Sequence, residues 1–93
     1  MDSVIQKPAF TEKQGQYLAF VHAYTLVMGR PPAEADMQRF FAVTPPTVHQ
    51  MVLTLERLGF ISRKPGSARS IELRIHPDIL PKLQAVISFV QRY

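Results

Sequence analysis

The chain has 93 residues, 46% of them hydrophobic, no cysteine and a formal net charge of +4. A domain of this size buries roughly two-thirds of its unfolded surface, so one modest core is expected, and the missing cysteines exclude disulfides and thiolate metal sites. No apolar run approaches the ~18 residues of a membrane span, and MDSVIQKPAF lacks the apolar centre of a signal peptide, so a soluble cytoplasmic protein is expected. Residues 1–9 show no periodicity and contain Pro8, which reads as a flexible N-terminal arm. Thr11 then caps a first helix, with Gln14 at the capping-box position. Tyr17, Phe20, Val21, Tyr24, Val27 and Met28 fall on one face of it at helical spacing. Gly29 ends that helix, and Pro31-Pro32 forbid its continuation.

A short second helix is expected over residues 33–41, with Glu34 and Asp36 in its first turn, where the dipole favours acids. Met37, Phe40 and Phe41 form its apolar side. The link Ala42-Val43 is short, so the next helix must turn sharply. That third helix spans residues 44–58. Thr44 suits its N-cap, Pro45 suits the first helical position, and Pro46 is tolerated behind it. On a wheel of ~100° per residue, Val48, Met51, Val52, Leu55 and Leu58 share one arc. His49, Gln50, Leu53, Thr54 and Arg57 take the other side, and Gly59 closes the helix.

Residues 60–64 read as a strand, Pro65-Gly66-Ser67-Ala68 as a turn, and residues 70–75 alternate polar and apolar as a half-buried strand does. The resulting hairpin carries Arg63, Lys64 and Arg69. A last helix is expected from about Asp78 to Arg92, with Pro81 in its first turn. Ile79, Leu80, Leu83, Val86, Ile87, Phe89, Val90 and Tyr93 cover more of it than the ~100° stripe one contact needs. Two readings follow. The helix packs back on the first helix and completes the core, or Leu83, Val86, Ile87, Phe89, Val90 and Tyr93 form a homodimer interface.

Three helices followed by a basic hairpin is the plan of a winged helix-turn-helix, here mostly α with a small β-hairpin and an additional C-terminal helix. The expected division is an arm over residues 1–9, the winged domain over 10–76 and the last helix over 77–93. In that plan the third helix enters the DNA major groove and the wing lies on the backbone or in the minor groove. The opening of the third helix suits such a site: no acid precedes Glu56, and phosphates line duplex DNA at one charge per ~1.7 Å. Two prolines remove amide donors, which leaves Thr44, Thr47, Gln50 and Thr54 to make polar contacts with bases or phosphates.

The segment from Phe10 to Leu73 resembles the N-terminal DNA-binding domain of LexA-type repressors. The resemblance rests on Thr11 with Gln14, Gly29 with Pro31-Pro32, the leucine pattern to Leu55, Gly59, Ile61, Gly66, Arg69 and Ile71 with Leu73. It implies that Thr44, Pro46, Thr47, His49 and Gln50 face DNA, together with wing residues around Gly66 to Arg69. With the neighbouring polar positions added, the expected DNA-binding set is Thr44, Pro46, Thr47, His49, Gln50, Thr54, Arg57, Arg63, Lys64, Ser67 and Arg69. The residue types at the helix start differ from those of LexA itself, so a different operator is expected. The resemblance covers the reading head without the family's Ser–Lys self-cleavage domain, so autoproteolysis is not implied.

Plainer readings stand beside these. Arg63, Lys64 and Arg69 also fit an ordinary solvated hairpin tip, His49 a surface histidine, Arg57 a local ion pair, and Arg39 a partner for Glu34 or Asp36. Leu53 is a misfit on the polar face. No Ser/His/acid arrangement, metal-ligand spacing or glycine-rich phosphate loop suggests an enzyme or a cofactor. The expected activity is a sequence-specific double-stranded DNA-binding regulator that represses by occlusion. The rival is a winged-helix protein–protein module without DNA binding.

Overall fold

The computed structural model describes residues 9–84. Three helices, α1 (Glu12–Met28), α2 (Glu34–Phe41) and α3 (Pro45–Arg57), precede a hairpin of β1 (Ile61–Ser62) and β2 (Glu72–Leu73) and a short 3-10 turn at Pro77–Ile79. The strands pair antiparallel, Ile61 opposite Leu73 and Ser62 opposite Glu72. This is a winged helix-turn-helix. Among the described residues no helix is long and apolar enough to cross a membrane.

Local chemistry sets the helix ends. At the start of α1 the Thr11 Oγ1 accepts the Gln14 N–H at 3.1 Å and the Gln14 Oε1 accepts the Thr11 N–H at 2.9 Å, so two otherwise orphaned donors are satisfied reciprocally. Gly29 stops the helix in the left-handed region, φ 77°. Ala33 precedes α2 with no side-chain acceptor of its own; Asp36 reaches back to take its N–H at 2.8 Å. Ala42 ends α2 at φ 56°, a left-handed position that costs a non-glycine residue roughly 1 kcal/mol. That strained residue makes the three-residue link to α3 possible. Thr44 occupies the N-cap of α3, but its hydroxyl bonds Thr47 Oγ1 at 2.9 Å and caps no backbone N–H.

The core gathers one face from each element: Tyr17, Leu18, Phe20 and Val21 from α1, Met37 from α2, Val48, Val52 and Leu55 from α3, and Ile61 and Ile71 from the hairpin. Phe40 and Phe41 join it. Phe41 stacks on Tyr17 with centroids 4.1 Å apart, and Phe40 lies 4.8 Å from Phe20. The apolar stripe of α1 outruns this core, however. Val27 is 80% exposed and Met28 53%, because α2 and α3 lie against the earlier turns and nothing described covers the last one. Leu58, expected on the apolar arc of α3, is likewise exposed beyond the helix end.

The expected helix from Asp78 does not form over the described residues. Only the 3-10 turn appears, and Leu80 is extended, ψ 144°. Pro81 is the cause, since its ring disfavours the α region for the residue before it. Residues 80–84 instead form an extended strap along α1. The Gln16 side chain donates to Lys82 O and accepts from the Gln84 N–H, both at 2.8 Å. Gly15 makes the close approach possible: a Cβ there would stand 2.9 Å from Phe10 Cε1 and 3.0 Å from Pro81 Cγ. Leu80 and Leu83 pack onto the core. Leu83 is half-buried against this chain's own core. Val86, Ile87, Phe89, Val90 and Tyr93 lie outside the described residues, as does most of the N-terminal arm.

Candidate nucleic-acid interface

The α3 helix is amphipathic in the strict sense that one side vanishes from solvent. Val48 and Val52 are fully buried and Leu55 is 1% exposed, which fixes the rotation of the helix about its axis. Thr44, Pro46, Thr47, His49, Gln50 and Arg57 are consequently exposed, and Thr54 is half-buried. The first turn contains no acid and opens on two prolines. Pro46, Thr47, Gln50, Met51 and Thr54 line a shallow groove whose other wall is Gln14 of α1. Sequence reasoning gave Gln14 only a capping role, and its place beside α3 is a tertiary fact with no local signal. Among the described residues no hydrogen bond engages the Gln50 amide, while the Thr44 and Thr47 hydroxyls bond only each other.

One acid does reach this face, from a different element. The Glu34 carboxylate in the first turn of α2 meets His49 Nδ1 at 3.1 and 3.2 Å through its two oxygens.

The wing differs from expectation in the use of its cations. Arg63 Nε donates to Glu56 Oε1 at 2.9 Å, so this guanidinium folds back on α3. Arg69 turns away from the hairpin tip altogether. Its Nη1 donates to Asp36 Oδ2 at 2.9 Å, Tyr24 Oη at 3.1 Å and Pro31 O at 3.2 Å, with the Tyr24 ring beneath it. Arg69, expected at the hairpin tip, is held instead by a buried acid on α2. Lys64 and Ser67 remain exposed, and among the described residues no carboxylate pairs with Lys64. Ser70 organises the loop, accepting the Lys64 N–H at 2.8 Å and donating its hydroxyl toward Lys64 O and Ser67 O, while Gly66 supplies the positive φ the turn needs.

Asp36 is the hinge of this arrangement. It is 8% exposed and bonds the Ala33 N–H, Arg69 and Arg39. Burial alone would raise its carboxyl pKa, but the Ala33 N–H and the two guanidinium groups outweigh burial and hold it below the usual carboxylate range. The Tyr24 hydroxyl, followed by Asp36, holds Arg69 above the ordinary arginine value against partial desolvation. The ion pair ties the wing to the start of α2. Wing, α2 and α3 thereby form one surface, since α3 joins α2 through three residues and Arg63 through Glu56.

Comparison with known proteins bears on this surface. The chain matches the LexA DNA binding domain family over residues 7–70. It is 40% identical to a LexA repressor of Thermosipho melanesiensis over 63 residues, which is 68% of this chain and 32% of that protein. It is 37% identical to a LexA repressor of Thermosipho africanus over 68 residues, 73% of this chain and 34% of that protein. The chain spans about a third of the length of these relatives.

Proposed function

Since the chain belongs to the LexA DNA binding domain family, we propose that it is a DNA-binding transcriptional repressor that reads double-stranded DNA with α3 in the major groove. Thr47, His49, Gln50 and Thr54 address base edges, and Thr44, Pro46 and Arg57 lie against the backbone. Gln14 borders the same groove. Lys64 and Ser67 carry the wing's phosphate contact, Arg63 shares its charge with Glu56, and Arg69 acts by holding the wing in place. Repression follows from occupancy of the site.

The observation that supports this most is the division of α3 into a wholly buried side and an exposed side whose first turn opens on two prolines and carries no acid. A helix of that kind can bring its first turn up to a polyanion without a charge of its own that repels it. Selection of bound fragments from random duplexes, followed by anisotropy titration of the winners, tests the proposal. An enriched motif bound with a negative dependence of log affinity on log salt supports it; no enrichment and no salt-dependent binding removes it. A palindromic motif would further indicate that two copies bind together.

A further inference from the structure

Glu34 is out of place on a surface built for phosphates. Its position in the first turn of α2 suits the helix dipole, but so would a side chain pointing anywhere into solvent. Instead both carboxylate oxygens lie against one ring nitrogen of His49, across fifteen residues of sequence. Glu34 is 30% exposed and His49 51%, so the pair sits at the rim of the proposed reading face and neither partner is forced there by burial.

The chemistry of the contact is directional. A carboxylate only accepts hydrogen bonds, so the His49 Nδ1 it faces must carry the proton. The tautomer is then set by the partner of the other nitrogen, as it is for a metal-bound histidine held by a second group. The two ring nitrogens point in widely different directions. With Nδ1 directed at Glu34, Nε2 lies on the far side of the ring from that carboxylate, and among the described residues no hydrogen bond engages it.

We propose that Glu34 is a positioning residue for base reading: it locks the ring and the proton of His49 so that Nε2 addresses one base edge in the major groove. This rests on the assignment of α3 as the reading helix. The same carboxylate repels phosphate, which weakens binding to every sequence in which His49 makes no base contact. Glu34 thus trades overall affinity for discrimination, an instance of specificity built partly from repulsion.

The test compares the wild-type chain with His49→Ala, Glu34→Ala and Glu34→Gln on duplexes in which each base pair of the selected motif is varied in turn, at fixed pH and salt. His49→Ala should flatten the preference at one base pair by about tenfold. Glu34→Ala should flatten the same base pair and no other, and should bind unrelated duplexes more tightly than the wild type. Glu34→Gln keeps an acceptor for Nδ1–H and should retain the preference, yet lose the repulsion. A merely structural Glu34 would instead lower thermal stability and weaken all sequences alike. If Glu34→Ala folds normally and leaves the preference intact, or if its effect simply adds to that of His49→Ala in the double variant, the positioning role is overturned. If the wild type itself shows no base preference, the assignment of α3 fails first and this inference fails with it.

Discussion

The outer face of α3 and the wing are both polar, both exposed and adjacent, yet they are organised in opposite ways. At the start of α3 the hydrogen-bonding groups Thr44, Thr47 and Gln50 are short or uncharged, exposed, and have few partners in the protein. On the wing the guanidinium groups are long and charged, and acids of other elements have claimed them: Glu56 holds Arg63 and Asp36 holds Arg69. The difference teaches that a basic hairpin is not the same thing as a set of available cations. A charge already paired inside the fold is a strut, and its loss is felt first as a loss of shape.

That contrast can be broken or sharpened by experiment. Leu55→Ala should break both regions at once, because Leu55 anchors α3 and packs in the same core as Ile61 of the hairpin; a cost of about 2–5 kcal/mol in urea-induced unfolding is expected. Thr47→Ala and Gln50→Ala should separate the regions, costing about 1–3 kcal/mol in DNA binding by anisotropy while changing stability by less than about 0.5 kcal/mol. Asp36→Ala should show the reverse pattern, losing about 1–2 kcal/mol of stability as the start of α2 loses its acceptor, with weaker binding following from a displaced wing. Within the wing, Lys64→Ala should lower the slope of log affinity against log salt by about one. Arg69→Ala should change that slope less and the melting temperature more.

The pH dependence of stability gives the smallest effect and the finest test. The Asp36 carboxyl lies below the usual range in the fold, so its ionised form contributes stability that is complete above the unfolded value, about pH 4, and is lost as pH falls through the lower folded value. Asp36→Asn should therefore shrink the difference in stability between about pH 6 and about pH 3. An unchanged difference would mean that Arg69 and Arg39 do not hold this acid in solution.

How far the fold and the site could be read in advance depended on whether the deciding interaction was local. The capping box at Thr11, the stop at Gly29, the proline mouth of α3 and the alternation through Ile71 are signals within a few residues, and each was legible. Helical spacing gave the shared face of α1 but not how much of it the core covers, and Val27 and Met28 on that face are exposed. At Pro81 two local rules compete, tolerance of proline in a first helical turn and its dislike of a preceding α residue, and the second prevailed. The partners of Arg69 lie 33, 38 and 45 residues away, and the partner of His49 fifteen. No periodicity reports such pairings. The outward side of α3 was therefore foreseeable, whereas the commitment of the wing's arginines was not.

The seat provided by Gln16 has a consequence for tolerance to change. Its amide grips a carbonyl and an N–H, atoms that every residue except proline presents alike. Lys82 can therefore be exchanged for almost any other side chain while the segment keeps its track, whereas proline at position 84 would unseat it.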